Sequence, residues 1–510
     1  MRRKFLCASL LSLTWGVAVL AHVGSPDVFL EGKAGPYQLF ATVRPPMVIP
    51  GVAELEVRSE SPGVTEIRAA PMPIAGAGAK FAPVPDKLER SREDRQFFTG
   101  TLWMMAPGSW QVRITANGDK GRGTVAVPVP SVALATKKMR PMLGGLLSIM
   151  GLFIVAGVVA MAGAAVREGK VQPGGPIPAE NNRKAKAAMV VAFFIVAGAI
   201  WIGNKWWNAE AASYGQQVYK PLIMKPALDA QGVLTLTLSD PGWFSPKNAV
   251  DYRRMLFTRT TDDLVPDHNH LMHLYLIRQP GLDFVYHLHP VQTRTGVFSL
   301  ALPKMASGEY RLYADIVHAS GFPETLVSRL EVPEGLPGRS LAGDDASGSS
   351  TAWDTSPAGV TDFKLPDGYV MHWIQNTQEI HARVPYLFRF TLADSAGRPA
   401  RDVQLYMGML GHAAFVKTDG TVFAHIHPSG SVSMAAMDLA QAQSGTAGSE
   451  MKGMDMPAMN METMSAPSRE GLPNEVSFPY GFPTTGRYRI FVQMKHGDSV
   501  ETGVFDANVT

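Results

Sequence analysis

The sequence predicts a mainly β protein made of three β-sandwich domains and a transmembrane hairpin of two helices. Short segments in which apolar and polar residues alternate recur over most of the chain, as in strands with one buried face. Two uncharged apolar segments interrupt these strands, and each is close to the length that crosses a bilayer. With 510 residues, of which 46% are hydrophobic, the chain is long enough for several domains with separate cores.

The composition excludes several kinds of chemistry. The formal net charge is only +3, from 47 Lys and Arg against 44 Asp and Glu, so we expect no polycationic surface for nucleic acid. The single cysteine, Cys7, lies in an N-terminal segment that we expect to be removed. The mature chain would then have no thiol for disulfides, thiolate zinc sites, haem attachment or a Cys nucleophile. By contrast, 26 Met and 13 His supply many thioethers and imidazoles.

Residues 1–21 have the layout of a secretory signal peptide. Arg2, Arg3 and Lys4 precede an uncharged apolar stretch that ends at Ala21, and cleavage there would leave His22 at the mature N-terminus. An uncleaved membrane anchor is the alternative. Either interpretation predicts an exported protein.

The two apolar segments, residues 141–166 and 187–207, predict the transmembrane helices. The loop between them, residues 167–186, holds five basic residues against two acidic ones, which predicts a cytoplasmic location by the positive-inside rule. Basic residues just before the first segment favour the opposite orientation. We expect a bacterial inner-membrane protein with its large domains on the periplasmic side. Two buried core helices are the alternative.

Shifts in composition divide the rest of the chain. β-rich segments at residues 22–135 and 214–333 flank the hairpin, and a Gly/Ser/Asp-rich linker follows at 334–352. A third β-rich segment occupies residues 353–510, and a methionine-rich insert at 437–468 interrupts it.

The second and third β segments are copies of one another, which we call repeat 1 and repeat 2. Residues 270–290 match residues 409–428 with one residue fewer in the turn, and residues 308–318 match 486–496 without a gap. The alignment pairs His273 with His412, His287 with His425, His289 with His427 and His318 with His496. Upstream, His268 and His270 align with Met407 and Met409.

The repeat allows the strand register to be predicted. In repeat 2, Asp419-Gly420 is a favoured two-residue hairpin turn, and such a turn places His412 opposite His427. In repeat 1 a loop of three residues places His273 opposite His289. Opposed residues and the histidines of His-x-His share one face, so each hairpin would present three imidazoles: His273, His287 and His289 in one, and His412, His425 and His427 in the other. A structural hydrogen-bond network or a surface cluster is the alternative to a metal site.

Further candidate ligands lie outside the hairpins. His318 and His496 end strands whose alternate residues are apolar, so each is either a fourth ligand or a hydrogen-bonded core histidine. His372 and His381 have no counterpart in the other repeat and are expected to be incidental. The insert adds regularly spaced thioethers at Met451, Met454, Met456, Met459, Met461 and Met464. Thioethers favour Cu(I) and imidazole binds several metals, so the combined set predicts copper as Cu(I) or Cu(II), with zinc as the alternative.

The segment Met407-Gly-Met-Leu-Gly-His412, followed by a Gly-x-Tyr-Arg strand, resembles the Met-x-x-Met-Gly-His pattern of YtkA-like and FixH-like exported domains. The resemblance implies immunoglobulin/cupredoxin-like sandwiches and copper handling outside the cytoplasm. An N-terminal His22 is similar to the start of the CopC copper-resistance family. The order of β domain, two spans and β domain is similar to the copper-bearing subunit of particulate methane monooxygenase.

We therefore predict a membrane-anchored periplasmic copper-binding protein for copper storage, delivery or resistance, with a copper donor or acceptor protein as partner. No catalytic residue is assigned. One alternative is a subunit of a membrane copper enzyme of oxidase or monooxygenase type, for which three histidines and a free position would suffice. The other is a docking or assembly factor whose histidines bind structural zinc or no metal.

Overall fold

The computed structural model describes residues 26–75, 81–243, 259–341, 343–356, 359–375, 379–443 and 471–510. These residues form antiparallel β domains and two long apolar helices, which confirms the mainly β fold class. The predicted signal peptide, His22 and most of the methionine-rich insert lie outside the described residues.

The N-terminal domain is a sandwich of two antiparallel sheets, ordered β1-β2-β3-β7-β6 and β5-β4-β8-β9. The alternating pattern of β3 explains its place, because Ala53, Leu55 and Val57 are buried between the sheets while Glu54 is exposed. The strands are β1 (Val28–Ala34), β2 (Tyr37–Arg44), β3 (Gly51–Ser59), β4 (Val64–Pro73), β5 (Asp86–Lys87), β6 (Glu89–Arg90), β7 (Phe97–Met104), β8 (Gly108–Gly118) and β9 (Gly121–Ser131).

Two helices follow, α1 (Pro141–Glu168) and α2 (Ala179–Gln216), with apolar windows of mean hydropathy 2.4 and 2.2. They pack against each other where Gly163 lets Met189 approach closely. Their length and composition make both of them candidate membrane spans. Helix α2 extends well beyond the predicted residues 187–207, and the connection is shorter than the predicted 167–186. The residues that flank the apolar run include good helix formers such as Ala, Glu and Lys, so the helix continues past the apolar limits.

Repeat 1 is a second sandwich, with sheets ordered β10-β11-β16-β15 and β12-β17-β13-β14-β19, and with β18 paired to β17. Its core side chains alternate along the strands, as Leu234, Leu236 and Leu238 do in β11. The strands are β10 (Ile223–Leu228), β11 (Val233–Ser239), β12 (Leu264–Val265), β13 (His273–Arg278), β14 (Phe284–Leu288), β15 (Val291–Arg294), β16 (Val297–Ala301), β17 (Gly308–His318), β18 (Pro323–Val332) and β19 (Ala346–Ser349).

Strand β19 corrects the prediction that residues 334–352 are a linker. It pairs with β14 at the edge of the repeat 1 sheet, and Gly348 lies against Thr502 of repeat 2. An edge strand is held by main-chain hydrogen bonds, so small polar residues can form it without an apolar pattern. Their small size also allows the close approach of the other repeat.

Repeat 2 has the same construction, with sheets ordered β20-β21-β22-β26 and β23-β27-β24-β25, and with β28 paired to β27. Its elements are β20 (Asp362–Lys364), β21 (Val370–Ile374), β22 (Tyr386–Ala393), β23 (Val403–Gln404), β24 (His412–Lys417), β25 (Phe423–Ile426), α3 (Met434–Gln443), β26 (Glu475–Tyr480), β27 (Gly486–His496) and β28 (Ser499–Val509). Helix α3 includes the first residues of the predicted insert. Its Ala436 and Ala440 side chains are buried.

The predicted hairpin registers are confirmed. Tyr275 pairs with His287 in repeat 1, and Ala414 pairs with His425 in repeat 2. The extra loop residue of repeat 1 therefore preserves the pairing of the equivalent strands.

The two repeats pack against each other through an apolar interface made by their hairpin sheets. Tyr275 and Tyr313 of repeat 1 contact Phe423 of repeat 2, and the Tyr313 and Phe423 rings stack with centroids 4.2 Å apart. Because both hairpins contribute to this interface, their histidines meet at one end of it.

The N-terminal domain docks beside the same place. Main-chain hydrogen bonds join Glu31 N to Ser429 O (2.8 Å) and Ser431 N to Phe29 O (3.0 Å), so β1 binds the segment directly after the repeat 2 histidines. Phe29 inserts into the core of repeat 2 and contacts Tyr480. All three domains therefore surround the region in which the hairpin histidines meet.

Candidate metal centre

Eight histidines, five from repeat 1 and three from repeat 2, form one continuous group that we call the histidine cluster. Each ring lies within contact distance of at least one other ring of the group. Its members are His268, His270, His273, His287, His289, His412, His425 and His427. His287 and His412 are completely buried, and the neighbouring members are buried or partly buried.

One predicted trio is present as the sequence indicated. His273 begins β13, His287 lies in β14, and His289 follows the end of β14. Their candidate ligand atoms all lie within 4.8 Å of one another, which is a suitable spacing for a common metal ion. The cross-strand pairing and the His-x-His spacing together produce this convergence.

The second trio differs from the prediction. The group whose ligand atoms lie within 4.8 Å of one another is His268, His412 and His427, so it takes one histidine from repeat 1 and two from repeat 2. His425 lies between the trios, with its ring centroid 5.5 Å from His273 and 5.4 Å from His412. The packing of the two repeats places His268 there, and a pattern within one hairpin cannot indicate it.

His268 is supplied by a tight turn with unusual backbone conformation. His268 and Asn269 have φ of 49° and 68°, and the equivalent Met407 and Gly408 of repeat 2 have φ of 51° and 81°. A positive φ at a non-glycine residue such as His268 or Met407 costs energy, and such strain is concentrated at functional sites. The shared conformation shows that the alignment of His268 with Met407 is a structural equivalence.

Three imidazole rings of the cluster are held in place by a contact between Nδ1 and an oxygen atom. Nδ1 of His289 lies 3.1 Å from Oδ1 of Asp345, and Nδ1 of His427 lies 3.1 Å from the carbonyl oxygen of Val432. Nδ1 of His425 lies 3.2 Å from Oδ2 of Asp315. Within the described residues, the buried Nε2 atoms of all three rings have no hydrogen-bond partner. A fixed Nδ1 and an available Nε2 are the arrangement that metal-binding imidazoles adopt.

The repeats exchange the residues that orient the middle histidine of each hairpin, His287 in repeat 1 and His425 in repeat 2. The side-chain amide of Gln493 in repeat 2 contacts His287 of repeat 1 (Oε1 to Nδ1, 2.9 Å). In the other direction, Asp315 of repeat 1 contacts His425 of repeat 2. Asp315 and Gln493 occupy equivalent positions in β17 and β27, because each lies opposite the first histidine of its hairpin. The site is therefore approximately two-fold symmetric.

Burial lowers the pKa of several cluster histidines. Desolvation lowers the pKa of His273, His287, His412 and His425 well below the usual value, and neighbouring imidazoles lower it further. The same two causes lower the pKa of His268 to about 4. These rings are unprotonated at neutral pH, which is the form that binds a metal. Burial also raises the pKa of Asp315 to about 6.

His318 and His496 lie outside the two trios, which agrees with the hydrogen-bonded core histidine, the second of the two alternatives that the sequence left open. His318 lies in a buried ionic network, with Nδ1 2.7 Å from Asp263 and Nε2 3.1 Å from Glu324. His496 lies 2.9 Å from Asp367 and stacks on Tyr369. Both histidines lie at the ends of their strands, where carboxylates contact them: Asp263 and Glu324 contact His318, and Asp367 contacts His496.

The remaining predicted ligands have different outcomes. Met407 and Met409 lie in the turn equivalent to that of His268 and His270, and the hydroxyl of the adjacent Tyr406 lies 3.3 Å from Nδ1 of His287. His372 and His381 are partly exposed and lie outside the cluster, as expected. The insert methionines Met451, Met454, Met456, Met459, Met461 and Met464 lie outside the described residues.

A cavity of about 180 Å³ reaches the cluster at the junction of the three domains. Most of its wall is apolar, with prolines of the N-terminal domain facing apolar residues of both repeats. His270, His273, His425, His427 and Asp315 also line it. The cavity therefore offers space for a small molecule or ion beside the cluster.

Sequence reasoning missed the residues that orient the ligands. Asp345 comes from the segment that was expected to be a linker, and Gln493 carries no charge that would draw attention. The alignment of the two repeats could have identified two of the orienting residues, Asp315 and Gln493. It pairs Asp315 with Gln493 at the position opposite the first hairpin histidine.

Comparison with known proteins gives little functional information. A family model described as a domain of unknown function (DUF8832) matches residues 364–510, so repeat 2 is similar to that family. No curated protein matches the chain. The resemblance to YtkA-like and FixH-like domains therefore stays a prediction.

Solved structures were also compared. An engineered protein is 16% identical over 19% of this chain and 21% of its own length, with a TM-score of 0.15. The tetra-tandem repeat of a large adhesion protein is 9% identical over 91% of this chain and 96% of its own, with a TM-score of 0.16. The alpha-2-macroglobulin of E. coli is 10% identical over 93% of this chain and 26% of its own, also with a TM-score of 0.16. Similarities this weak support no inference about function.

Proposed function

We propose that the protein is a membrane-anchored, exported copper-binding protein for copper storage, delivery or resistance, and that the histidine cluster is its metal site. The observation that carries the proposal is the pair of trios, His273/His287/His289 and His268/His412/His427, each with ligand atoms within 4.8 Å of one another. Burial of so many imidazoles is costly unless their nitrogens are bonded. A metal ion would satisfy the Nε2 atoms that have no partner in the described part of the chain.

Copper is favoured over other metals by the whole ligand inventory. Imidazole binds copper, zinc, iron and nickel, whereas thioethers select Cu(I). Methionines lie at two positions equivalent to cluster histidines and recur in the insert. A site without thiols also suits an oxidising compartment outside the cytoplasm. Candidate spans α1 and α2 would hold the protein in the membrane, with both repeats and the N-terminal domain on the exported side.

The test uses the full-length protein in detergent, purified without metal, loaded with copper, dialysed against a weak chelator and analysed by mass spectrometry. We expect the double variants His273→Ala/His289→Ala and His412→Ala/His427→Ala each to lose at least about half of the bound copper. The matched control, His372→Ala/His381→Ala, removes two histidines outside the cluster and should retain all of it. Copper retention that is unchanged in both cluster variants would reject the site. Retention of zinc in preference to copper would support the docking-factor alternative.

A second candidate, an oxygen-activating copper enzyme, is favoured by the cavity alone. The cavity brings a mostly apolar space to four cluster histidines and to Asp315, which is a candidate proton donor or acceptor. The measurement is oxygen uptake by the copper-loaded protein with excess reductant. Uptake that stops once the reduced copper is oxidised would exclude this candidate, and repeated turnover would support it.

A further inference from the structure

One end of the N-terminal domain carries a patch of exposed apolar side chains, which we call the apolar rim. It consists of Met47, Val52, Trp103 and Met105. Val52 and Trp103 pair directly across β3 and β7, and Met105 follows the end of β7. Trp103 and Met105 are 59% and 60% exposed, although such side chains are normally buried in a soluble domain.

The chain enters the first apolar helix from this end of the domain. The backbone N–H groups of Leu134 and Ala135 both donate to the carbonyl oxygen of Met47, at 2.9 and 3.0 Å. The Ser131 hydroxyl donates to the carbonyl oxygen of Ala106, which fixes the loop that follows Trp103 (3.0 Å). From Ala135, six residues lead to the start of α1 at Pro141, a reach of at most about 20 Å.

The second helix returns to the same end. After α2, Tyr219 N donates to Ala133 O (2.8 Å), so both connections between helices and domains run side by side. The apolar rim is therefore tied to the point where the two candidate spans leave the domains. It cannot move far from the surface of any bilayer that contains α1.

The chemistry of the rim suits the layer between lipid tails and water. Tryptophan is enriched in this layer, where its ring is apolar and its N–H is polar. Exposed Lys137, Lys138 and Arg140 lie in the connection that leads from this end of the domain to α1, and they would attract anionic headgroups. We propose that the apolar rim lies in the headgroup layer of the membrane and holds the N-terminal domain against it. This inference rests on the membrane anchoring in the proposed function.

Site-directed spin labelling tests the inference, because Cys7→Ser removes the only native cysteine. Single variants Trp103→Cys and Met105→Cys in the full chain would be labelled and reconstituted in vesicles of phosphatidylcholine with phosphatidylglycerol. The matched control is Lys120→Cys, in the exposed turn between β8 and β9, at the end of these two strands away from Ser131. Phe153→Cys, in the middle of α1, reports whether that helix lies in the bilayer.

We expect both rim labels to collide at least about threefold more with oxygen, relative to a water-soluble nickel complex, than the Lys120 label does. Equal ratios for rim and control, with Phe153 still in the hydrocarbon, would overturn the inference and leave the anchoring intact. A Phe153 label exposed to nickel would overturn both. Dipolar broadening between rim labels would indicate contact between two copies of the chain and would also overturn the inference.

Discussion

Repeat 1 and repeat 2 share the two-sheet sandwich and the hairpin register, but they supply different chemistry to the site they share. Repeat 1 contributes five cluster histidines and an orienting carboxylate, Asp315. Repeat 2 contributes three histidines, an orienting amide, Gln493, and methionines at the positions of His268 and His270. The comparison teaches that a duplicated scaffold can preserve ligand geometry while the individual ligands diverge.

The largest expected difference between the repeats concerns an arginine. Arg489 of repeat 2 is buried, pairs with Asp506 and donates to the carbonyl oxygens of Leu282 and Thr351 across the interface. Its equivalent in repeat 1, Arg311, is partly exposed and donates to the carbonyl oxygen of Asp419. Arg489→Met should lower the free energy of unfolding by about 3–5 kcal/mol, because it leaves a buried carboxylate unpaired.

Arg311→Met is the matched control and should change stability by less than about 0.5 kcal/mol. Urea unfolding of both variants in detergent, followed by circular dichroism, measures the two effects. Similar losses of unfolding free energy in Arg489→Met and Arg311→Met would contradict the expectation that Arg489 contributes more to stability than Arg311.

Replacement of the two orienting residues, Asp315 and Gln493, should weaken copper binding to different extents. Asp315→Ala removes the only described partner of Nδ1 of His425 and should weaken copper binding about 10- to 100-fold. Gln493→Ala should have a smaller effect, because the hydroxyl of Tyr406 still contacts His287. Competition with a chelator of known affinity gives both values. A larger loss for Gln493→Ala than for Asp315→Ala would contradict the roles assigned here.

How far the sequence predicts this site can be judged from these residues. The turn at Asp419-Gly420 and the alternating pattern predict the strands and the register, because both depend on local backbone geometry. Membership of His268 in the second trio depends on how the repeats pack through Tyr275 and Phe423, and no local pattern encodes that packing. Strand β19 escaped prediction because an edge strand of small residues has no apolar face to recognise.

The two regions that hold histidines should respond oppositely to pH. Burial would lower the pKa of His318, but hydrogen bonds and charge from Asp263 and Glu324 outweigh burial and raise it. Its stabilising effect is therefore complete below about pH 6.5 and is lost as the pH rises through the raised value. Six cluster histidines have lowered pKa values, namely His268, His273, His287, His289, His412 and His425. Their contribution to the stability of the metal-free protein is therefore present above about pH 6.5 and is lost as the pH falls.

His318→Gln tests this difference. The destabilisation that it causes in the metal-free protein should be greatest at low pH and should shrink as the pH rises, by at most about 1.4 kcal/mol per pH unit. Urea unfolding from pH 5.5 to 8.5 measures it. A destabilisation that is constant across this range would show that the His318 network does not change protonation.

The smallest expected effect concerns the turn that supplies His268 in repeat 1 and Met407 in repeat 2. Met407→Gly relieves the positive φ but adds flexibility to the unfolded chain, so it should stabilise the protein by no more than about 1 kcal/mol. Gly408→Ala in the same turn should destabilise it by about 1–2 kcal/mol, because its φ is 81°. Thermal unfolding compares the two, and a destabilising Met407→Gly would indicate that its side chain contributes more than its backbone costs.

The exchange of Asp315 and Gln493 has a consequence for the history of the gene. Each repeat carries the residue that positions the other's histidine, so a cut between the halves would produce two fragments that each lack part of their own site. Loss of one copy would then abolish the shared arrangement instead of halving it.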